Sequence, residues 1–363
     1  MKVAIIGAGI SGLACAHEFK RSGIIPTIFE NSSFIGEMID FQTITLKTFS
    51  FPRFIDIVKN LKKNYNISIT PQFILKETNT HCPNKKVYRA RGNFGYIFKR
   101  GSAPDSVENQ LAQAVNLPIQ LNTHVDVQDI INDFDYIIVA TGSEGIARDL
   151  NILKKTFDSQ ARVAIVTRDF KTDSISTWFN LKYSNNAFTY LVPYSSREAR
   201  LILITNGISP NEINHVWEEF LTTENIKYTI KSTIEINHFT GYVEPLQVGK
   251  LYFVGGAGGF VDSFYGFGMV KSIMSGVSAA RAIINNLDYA HIVKPIAKEM
   301  KRIHEFRTAF NTFDNKALDF VFAFVHFPII KQYIFNNPLF EVALHTFMVR
   351  IYNYFWRKRK GLK

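Results

Sequence analysis

Val3-Ala4-Ile5-Ile6-Gly7-Ala8-Gly9-Ile10-Ser11-Gly12, followed by Pro26-Thr27-Ile28-Phe29-Glu30, is the stretch that decides the fold. An apolar run of strand character enters a glycine turn, a helix leaves it, and a second apolar strand closes on an acid. Gly7 permits the tight turn, Gly9 lets the backbone come close to a pyrophosphate, and Gly12 lets the helix pack on the strand. Ile10 and Ser11 open that helix, whose unpaired amides suit the phosphates. Glu30 stands about 20 residues beyond the turn, where an acid meets a ribose. The stretch therefore predicts a dinucleotide-binding unit.

The rest of the chain bounds what this unit belongs to. With 363 residues, 46% of them hydrophobic, it is long enough to bury two cores. The formal net charge of +11 suggests an anionic partner, but six basic residues, Arg350, Arg357, Lys358, Arg359, Lys360 and Lys363, follow the last acid, Glu341. The excess is largely a tail, and no reader motif accompanies it, so nucleic acid is not expected. Cys15 and Cys82 make no disulfide framework and no metal spacing, which fits a reducing, cytoplasmic setting.

After Glu30 the pattern leaves a simple mononucleotide fold. Phe41, Ile44 and Leu46 alternate with polar residues; Ile55, Val58 and Leu61 mark a short helix. Ile67, Ile69, Phe73 and Leu75 predict two short strands broken by Pro71, with a turn at Cys82-Pro83-Asn84. Ser102 and Asp105 have capping-box spacing, with Pro104 in the first turn of a helix that presents Val107, Leu111 and Ala114. Leu117 to Val125 reads as a strand, and Phe134 to Gly142 as a buried parallel strand ending in the small-residue turn Ala140-Thr141-Gly142. From Arg162 to Ile204 the spacing predicts an antiparallel sheet, followed by a helix from Pro210 to Leu221 and a short strand pair to Gly241.

A second glycine turn follows the strand Leu251-Tyr252-Phe253-Val254. It runs Gly255-Gly256-Ala257-Gly258-Gly259-Phe260, and Gly266-Phe267-Gly268-Met269 then opens a helix. This predicts a second phosphate or ribityl site. From His304 to Trp356 lie fifteen of the fifty aromatic residues, but Lys331, Glu341, Arg350, Pro328 and Pro338 interrupt any bilayer-spanning run. Two readings stay open for this region: interfacial helices meeting an anionic membrane through the basic tail, or helices covering a core with a solvated basic end.

These pieces resemble the flavoprotein superfamily of geranylgeranyl reductases and aromatic-ring hydroxylases, and the geranylgeranyl-reductase-like oxidoreductases most of all, over about residues 1–285. The resemblance implies an α/β fold. A Rossmann-like FAD-binding domain of the GR2 type (1–40, 87–150 and 245–287) would be interleaved with a β-sheet substrate domain (41–86 and 151–244), with C-terminal helices over 288–363. It implies FAD as cofactor, with Gly7, Gly9, Gly12 and Glu30 on its ADP half, Arg100 near the ribityl and phosphate groups, and Val125 and Ala140-Thr141-Gly142 beside the nucleotide. The third motif usually carries an aspartate that accepts hydrogen bonds from the ribityl chain. Here Gly256 stands in its place, a loss of about 1 to 3 kcal/mol, unless Asp262 substitutes or instead caps a local turn. Amides at Gly266 to Met269 would face the flavin pyrimidine.

The resemblance implies an enzyme that reduces a carbon–carbon double bond of a small apolar isoprenoid or lipid substrate by hydride transfer. NAD(P)H or a protein electron donor would supply the reduction, at the inner face of a membrane if the tail docks there. A flavin-dependent monooxygenase and a non-catalytic dinucleotide-binding protein are the alternatives. The sequence holds no triad, metal cluster or paired-carboxylate signature, so no catalytic acid or base is assigned; in such enzymes the cofactor carries the electrons.

Overall fold

The computed structural model describes residues 1–36, 40–47 and 55–328. β1 (Val3–Ile6), α1 (Ile10–Arg21) and β2 (Thr27–Phe29) take the expected order. Next come β3 (Phe41–Leu46), α2 (Ile57–Tyr65), β4 (Phe73–His81), β5 (Val87–Arg100) and α3 (Val107–Val115), then β6 (Ile119–Gln120), α4 (Val127–Ile130), β7 (Tyr136–Val139) and α5 (Gly145–Asp149). β8 (Leu153–Thr167), β9 (Ser174–Trp178), α6 (Leu181–Ser184), β10 (Thr189–Pro193), β11 (Glu198–Asn206), α7 (Ile213–Thr223) and β12 (Thr229–Val243) form most of the second half. β13 (Gln247–Val248), β14 (Leu251–Phe253), α8 (Met269–Ile284), α9 (Tyr289–Phe310) and α10 (Asn315–Val325) close it.

The strands make two sheets. One is six-stranded in the order β13-β14-β7-β1-β2-β6, parallel except for β13. Pairing of Ile6 with Val139 and of Val139 with Phe253 brings the carboxyl ends of β1, β7 and β14 side by side, where a ligand of such a sheet sits. Continuous apolar runs form these strands because both faces are covered: all four residues of β1 are buried. The other sheet has eight strands in the order β12-β8-β11-β10-β9-β4-β5-β3, antiparallel except between β4 and β9.

Alternation along the second sheet divides its faces. Val163, Val192 and Ile202 point into a cluster with Phe264, Phe310 and Val321, so the loop before α8 and helices α9 and α10 cover that face. Ala164, Leu191 and Leu201 point the other way, against Trp217 and Phe220 of α7. β5 joins the two sheets, because Ile97 lies in the cluster under α9 and α10 while its neighbour Phe98 lies in the core of the parallel sheet. Both are fully buried, and burial of each side chain contributes about 2 kcal/mol. Glu77 of β4 accepts hydrogen bonds from Arg91 of β5 at 2.9 Å and from Lys171, ahead of β9, at 3.1 Å, tying the middle of the sheet together.

Several boundaries differ from expectation. Residues 87–100, expected in the nucleotide-binding block, form β5 of the eight-stranded sheet. Ile67 and Ile69 form no strand; both are buried in the core of the parallel sheet, which explains their alternation. Helix α3 starts at Val107, with Ser106 as its cap, because Asp40 holds the amides of Ser102 and Ala103 in a turn and Lys99 holds Asp105. Its inner face is therefore Val107, Leu111 and Val115, with Ala114 exposed. The strand expected over Leu117 to Val125 shrinks to the two residues of β6, and the strand pair expected before Gly241 is the single long β12. The aromatic and basic stretch from 329 to 363 lies outside the described residues.

Candidate dinucleotide cleft and concave face

The first glycine turn is built by backbone contact. Gly7 has φ +106°, its amide donates to the carbonyl of Phe29 at 2.8 Å, and a β-carbon on it would stand 2.5 Å from the carbonyl oxygen of Ala140. A β-carbon on Gly12 would collide with the carbonyl of Gly7. Gly9 is different: a β-carbon there would meet nothing within 4 Å, so the turn opens outward at the residue that precedes α1. No side chain caps α1 and no acid lies in its first turn, whereas Asp56, Ser106, Asp288 and Asp314 cap α2, α3, α9 and α10. Its first amides, at Ile10, Ser11 and Gly12, are arranged for an anion.

Glu30 closes the far side of this turn. Its carboxylate accepts from the amide of Ala8 at 2.8 Å and from that of Ser32 at 2.9 Å, so it is held beside the glycine loop by two fixed donors. Val125 is half-buried two residues past Thr123, whose amide donates to the Glu30 carbonyl at 2.9 Å.

The second turn meets the first. Gly255 (φ +56°) packs on the Ser11 side chain, where a β-carbon would clash, and Gly276 of α8 packs on the Ser11 carbonyl in the same way. A β-carbon on Gly256 would stand 2.5 Å from the carbonyl oxygen of Gly142. Ala140 and Val254 leave their strands with amides donating to Ile6 at 2.9 Å and Val139 at 3.1 Å. Thr141 bends the next residues with a 3.2 Å bond from its hydroxyl to the carbonyl of Ser143. The structure thus brings together Gly7, Gly12, Ser11, Ala140, Gly142, Gly255 and Gly256 at one edge of the parallel sheet.

Asp262 is buried, and its carboxylate is occupied within the fold. It accepts from the amides of Phe264, Tyr265 and Phe267 at 3.1, 2.7 and 2.9 Å, and the Lys271 ammonium lies 3.6 Å away. Of its two expected roles, the structure shows the cap: the carboxylate shapes the turn holding Gly266 (φ +72°) and leads the chain into α8. That helix starts at Met269 after Gly268, again with no capping side chain and no acid in its first turn. The nearby Arg307 guanidinium is buried, which pushes it down to about 9 against the opposing pull of Asp262.

The same turn carries aromatic rings onto the face of the eight-stranded sheet that α9 and α10 cover. Phe267 stacks on Tyr265 at 5.1 Å, Tyr265 meets Phe188 edge-on at 5.6 Å, and Phe188 lies 5.8 Å from Tyr190. Burial pushes the Tyr190 phenol up to about 12, so it is neutral at physiological pH. Sequence reasoning missed Gln42, which shares this face with Ile44 and Leu46 by strand alternation. It is 2% exposed, and neither its amide nitrogen nor its amide oxygen has a partner. A polar residue in the inward phase of an alternating strand was the available signal.

Arg100 stands at the end of β5, where its guanidinium pairs with buried Glu108 and lies 5.3 Å from the Phe41 ring. Both cysteines are free and buried; burial raises the Cys82 thiol to about 12 and Cys15 further. Among the described residues no group of three or more His, Cys, Asp or Glu is arranged for a metal, and no helix is long and apolar enough to cross a membrane.

A parallel dinucleotide-type sheet, three converging turns and an antiparallel sheet with a helix-covered face make up a fold that solved structures of low sequence identity share. The pattern of the NAD(P)-binding Rossmann-like domain matches residues 5–59, and no curated protein matches the chain by sequence. Among solved structures, a geranylgeranyl bacteriochlorophyll reductase-like protein from Thermoplasma acidophilum is similar with a TM-score of 0.73. It is 15% identical, and the match covers 96% of this chain and 98% of that one. The flavin-dependent brominase Bmp2 gives 0.59 at 14% identity over 96% and 93% of the two chains. CtdE, solved with FAD and a substrate, gives 0.60 at 14% identity over 87% and 90%.

Proposed function

We propose that the protein is an FAD-dependent oxidoreductase that reduces a carbon–carbon double bond of an apolar substrate, of isoprenoid or lipid type. The observation that carries this reading is the convergence of the turns at Gly7, Gly142 and Gly256, with Gly9 facing open space at an uncapped helix. The residues present fit the cofactor. The amides of Ile10 to Gly12 would bind its pyrophosphate, Glu30 its ribose, and the start of α8 its pyrimidine end. FAD, when bound, supplies the hydride chemistry.

The chain supplies binding and shape. Ser11, fixed between Gly255 and Gly276, sets the spacing of the two glycine turns. Asp262 fixes the loop that presents Tyr265 and Phe267, and these rings with Phe188 and Tyr190 give an apolar, water-excluding wall. NAD(P)H or a protein electron donor is the proposed source of reduction. The test is the absorbance spectrum of the purified protein, with release and quantification of any bound flavin. A flavin spectrum, and its bleaching by reductant followed by substrate-dependent recovery without oxygen, supports the reading. A colourless protein that binds no added FAD overturns it, and substrate-dependent oxygen consumption would make the protein a monooxygenase.

A further inference from the structure

One end of the eight-stranded sheet is drawn together by side chains from strands far apart in its order. The Arg200 guanidinium, near the start of β11, donates to the carbonyl of Asp40, just before β3, at 3.0 Å. The Gln72 amide, just before β4, donates to the carbonyl of Tyr194, just after β10, at 2.8 Å. The Tyr194 ring meets two cations, Arg200 at 4.5 Å and Lys99 of β5 at 5.0 Å. In a flat sheet five strand spacings, about 24 Å, would separate β11 from β3. The sheet therefore curls into a trough, and these contacts close one end of it.

Gln42 lies at that closed end, two residues after Asp40 and in register with Lys99. Strand alternation turns it to the same side as Ile44 and Ile97, the side on which Arg200 precedes Ile202. It is buried, and neither its amide nitrogen nor its amide oxygen has a partner. The two cations beside it are already engaged. Lys99 donates to both carboxylate oxygens of Asp105 at 2.8 and 2.7 Å, and Arg200 donates to Glu198 at 2.8 Å as well as to Asp40. What this end offers a ligand is a neutral amide, destabilising while unpaired and completed by a group that both donates and accepts. A hydroxyl does both at one atom, whereas an ether, an ester carbonyl or a carboxylate only accepts. Tyr190 of the aromatic wall precedes Tyr194 by four residues, about 13 Å along an extended strand. A long ligand can thus lie on Tyr190, Phe188 and Tyr265 and place its end at Gln42.

We infer that Gln42 is a specificity-determining residue that holds the uncharged polar end, a hydroxyl, of an otherwise apolar substrate. The inference rests on the proposed reading of this face as the substrate site and adds which chemistry the far end of the substrate carries. Binding is read without turnover, so the two can fail separately. A protein that binds no FAD yet prefers the alcohol keeps this inference and loses the cofactor reading; one that binds FAD and ignores the hydroxyl does the reverse.

The experiment is titration calorimetry of the full-length protein and of Gln42→Met with two ligand pairs, farnesol and its methyl ether, and dodecanol and its methyl ether. At least one alcohol should bind the unaltered protein about tenfold more tightly than its ether, and Gln42→Met should abolish that difference. The variant should keep its affinity for FAD. Its melting temperature should be equal or higher, because an apolar chain of similar length replaces an unpaired amide. Equal affinity within both pairs, no binding of any of the four ligands, or a preference that survives in Gln42→Met overturns the inference. So does a variant with weakened FAD binding, which would assign the amide to the cofactor, or one with a lowered melting temperature without ligand, which would assign it to the fold.

Discussion

Gly256 lies against the backbone of Gly142, so closely that any side chain on it would be driven into the Gly142 carbonyl oxygen, 2.5 Å from the β-carbon position. An acid at this position would have no room. The turn after β7 fills that space, and the glycine is a packing requirement.

Restoring the acid should therefore harm the protein. Gly256→Asp and Gly256→Ala are each expected to cost about 1 to 3 kcal/mol, the scale of overpacking, and to weaken FAD binding by displacing the Gly142 turn. Thermal unfolding with and without FAD, and a fluorescence titration, measure both effects. Tighter FAD binding by Gly256→Asp would show that the acid had merely been lost.

Asp262 should behave as a structural anion. Asp262→Ala removes the acceptor for three amides and strands the buried Lys271 ammonium, an expected loss of about 3 kcal/mol or more. Asp262→Asn, which keeps one acceptor oxygen, should fall between the two. Chemical denaturation without cofactor reads this directly. A full-stability alanine variant that fails only in flavin binding would return Asp262 to the ligand.

Acid should weaken the junction of β4, β5 and β9 through Glu77. The Lys171 hydrogen bond, helped by Arg91, holds its carboxyl down to about 2 from an ordinary 4.5. A carboxyl with a depressed folded pKa adds stability that is fully present above its ordinary value and fades as pH falls through its folded one. The unaltered protein should thus lose stability relative to Glu77→Gln between about pH 4.5 and 2. Denaturation curves at pH 5 and pH 3 compare them; a constant difference would rule out this origin.

The parts legible in the sequence were those where one residue type has one physical use. Gly7, Gly9 and Gly12 at fixed spacing leave little choice of backbone, and the run to Val139 can hardly be anything but a buried strand. The parts that escaped depend on partners distant in sequence. Asp40 lies 62 residues before Ser102, and its carboxylate turns an apparent helix start into a loop. Ile67 and Ile69 alternate like a strand because a core beneath them does. Asp262 could be read as ligand or cap, and only the amides around it decide. Gln42 is invisible until the face of β3 is known.

The position of β5 has a mechanical consequence. Ile97 is locked in one core and Phe98 in the next, so the two sheets cannot part without tearing a packed interior. A hinge between the two sheets would have to break the packing of this one strand.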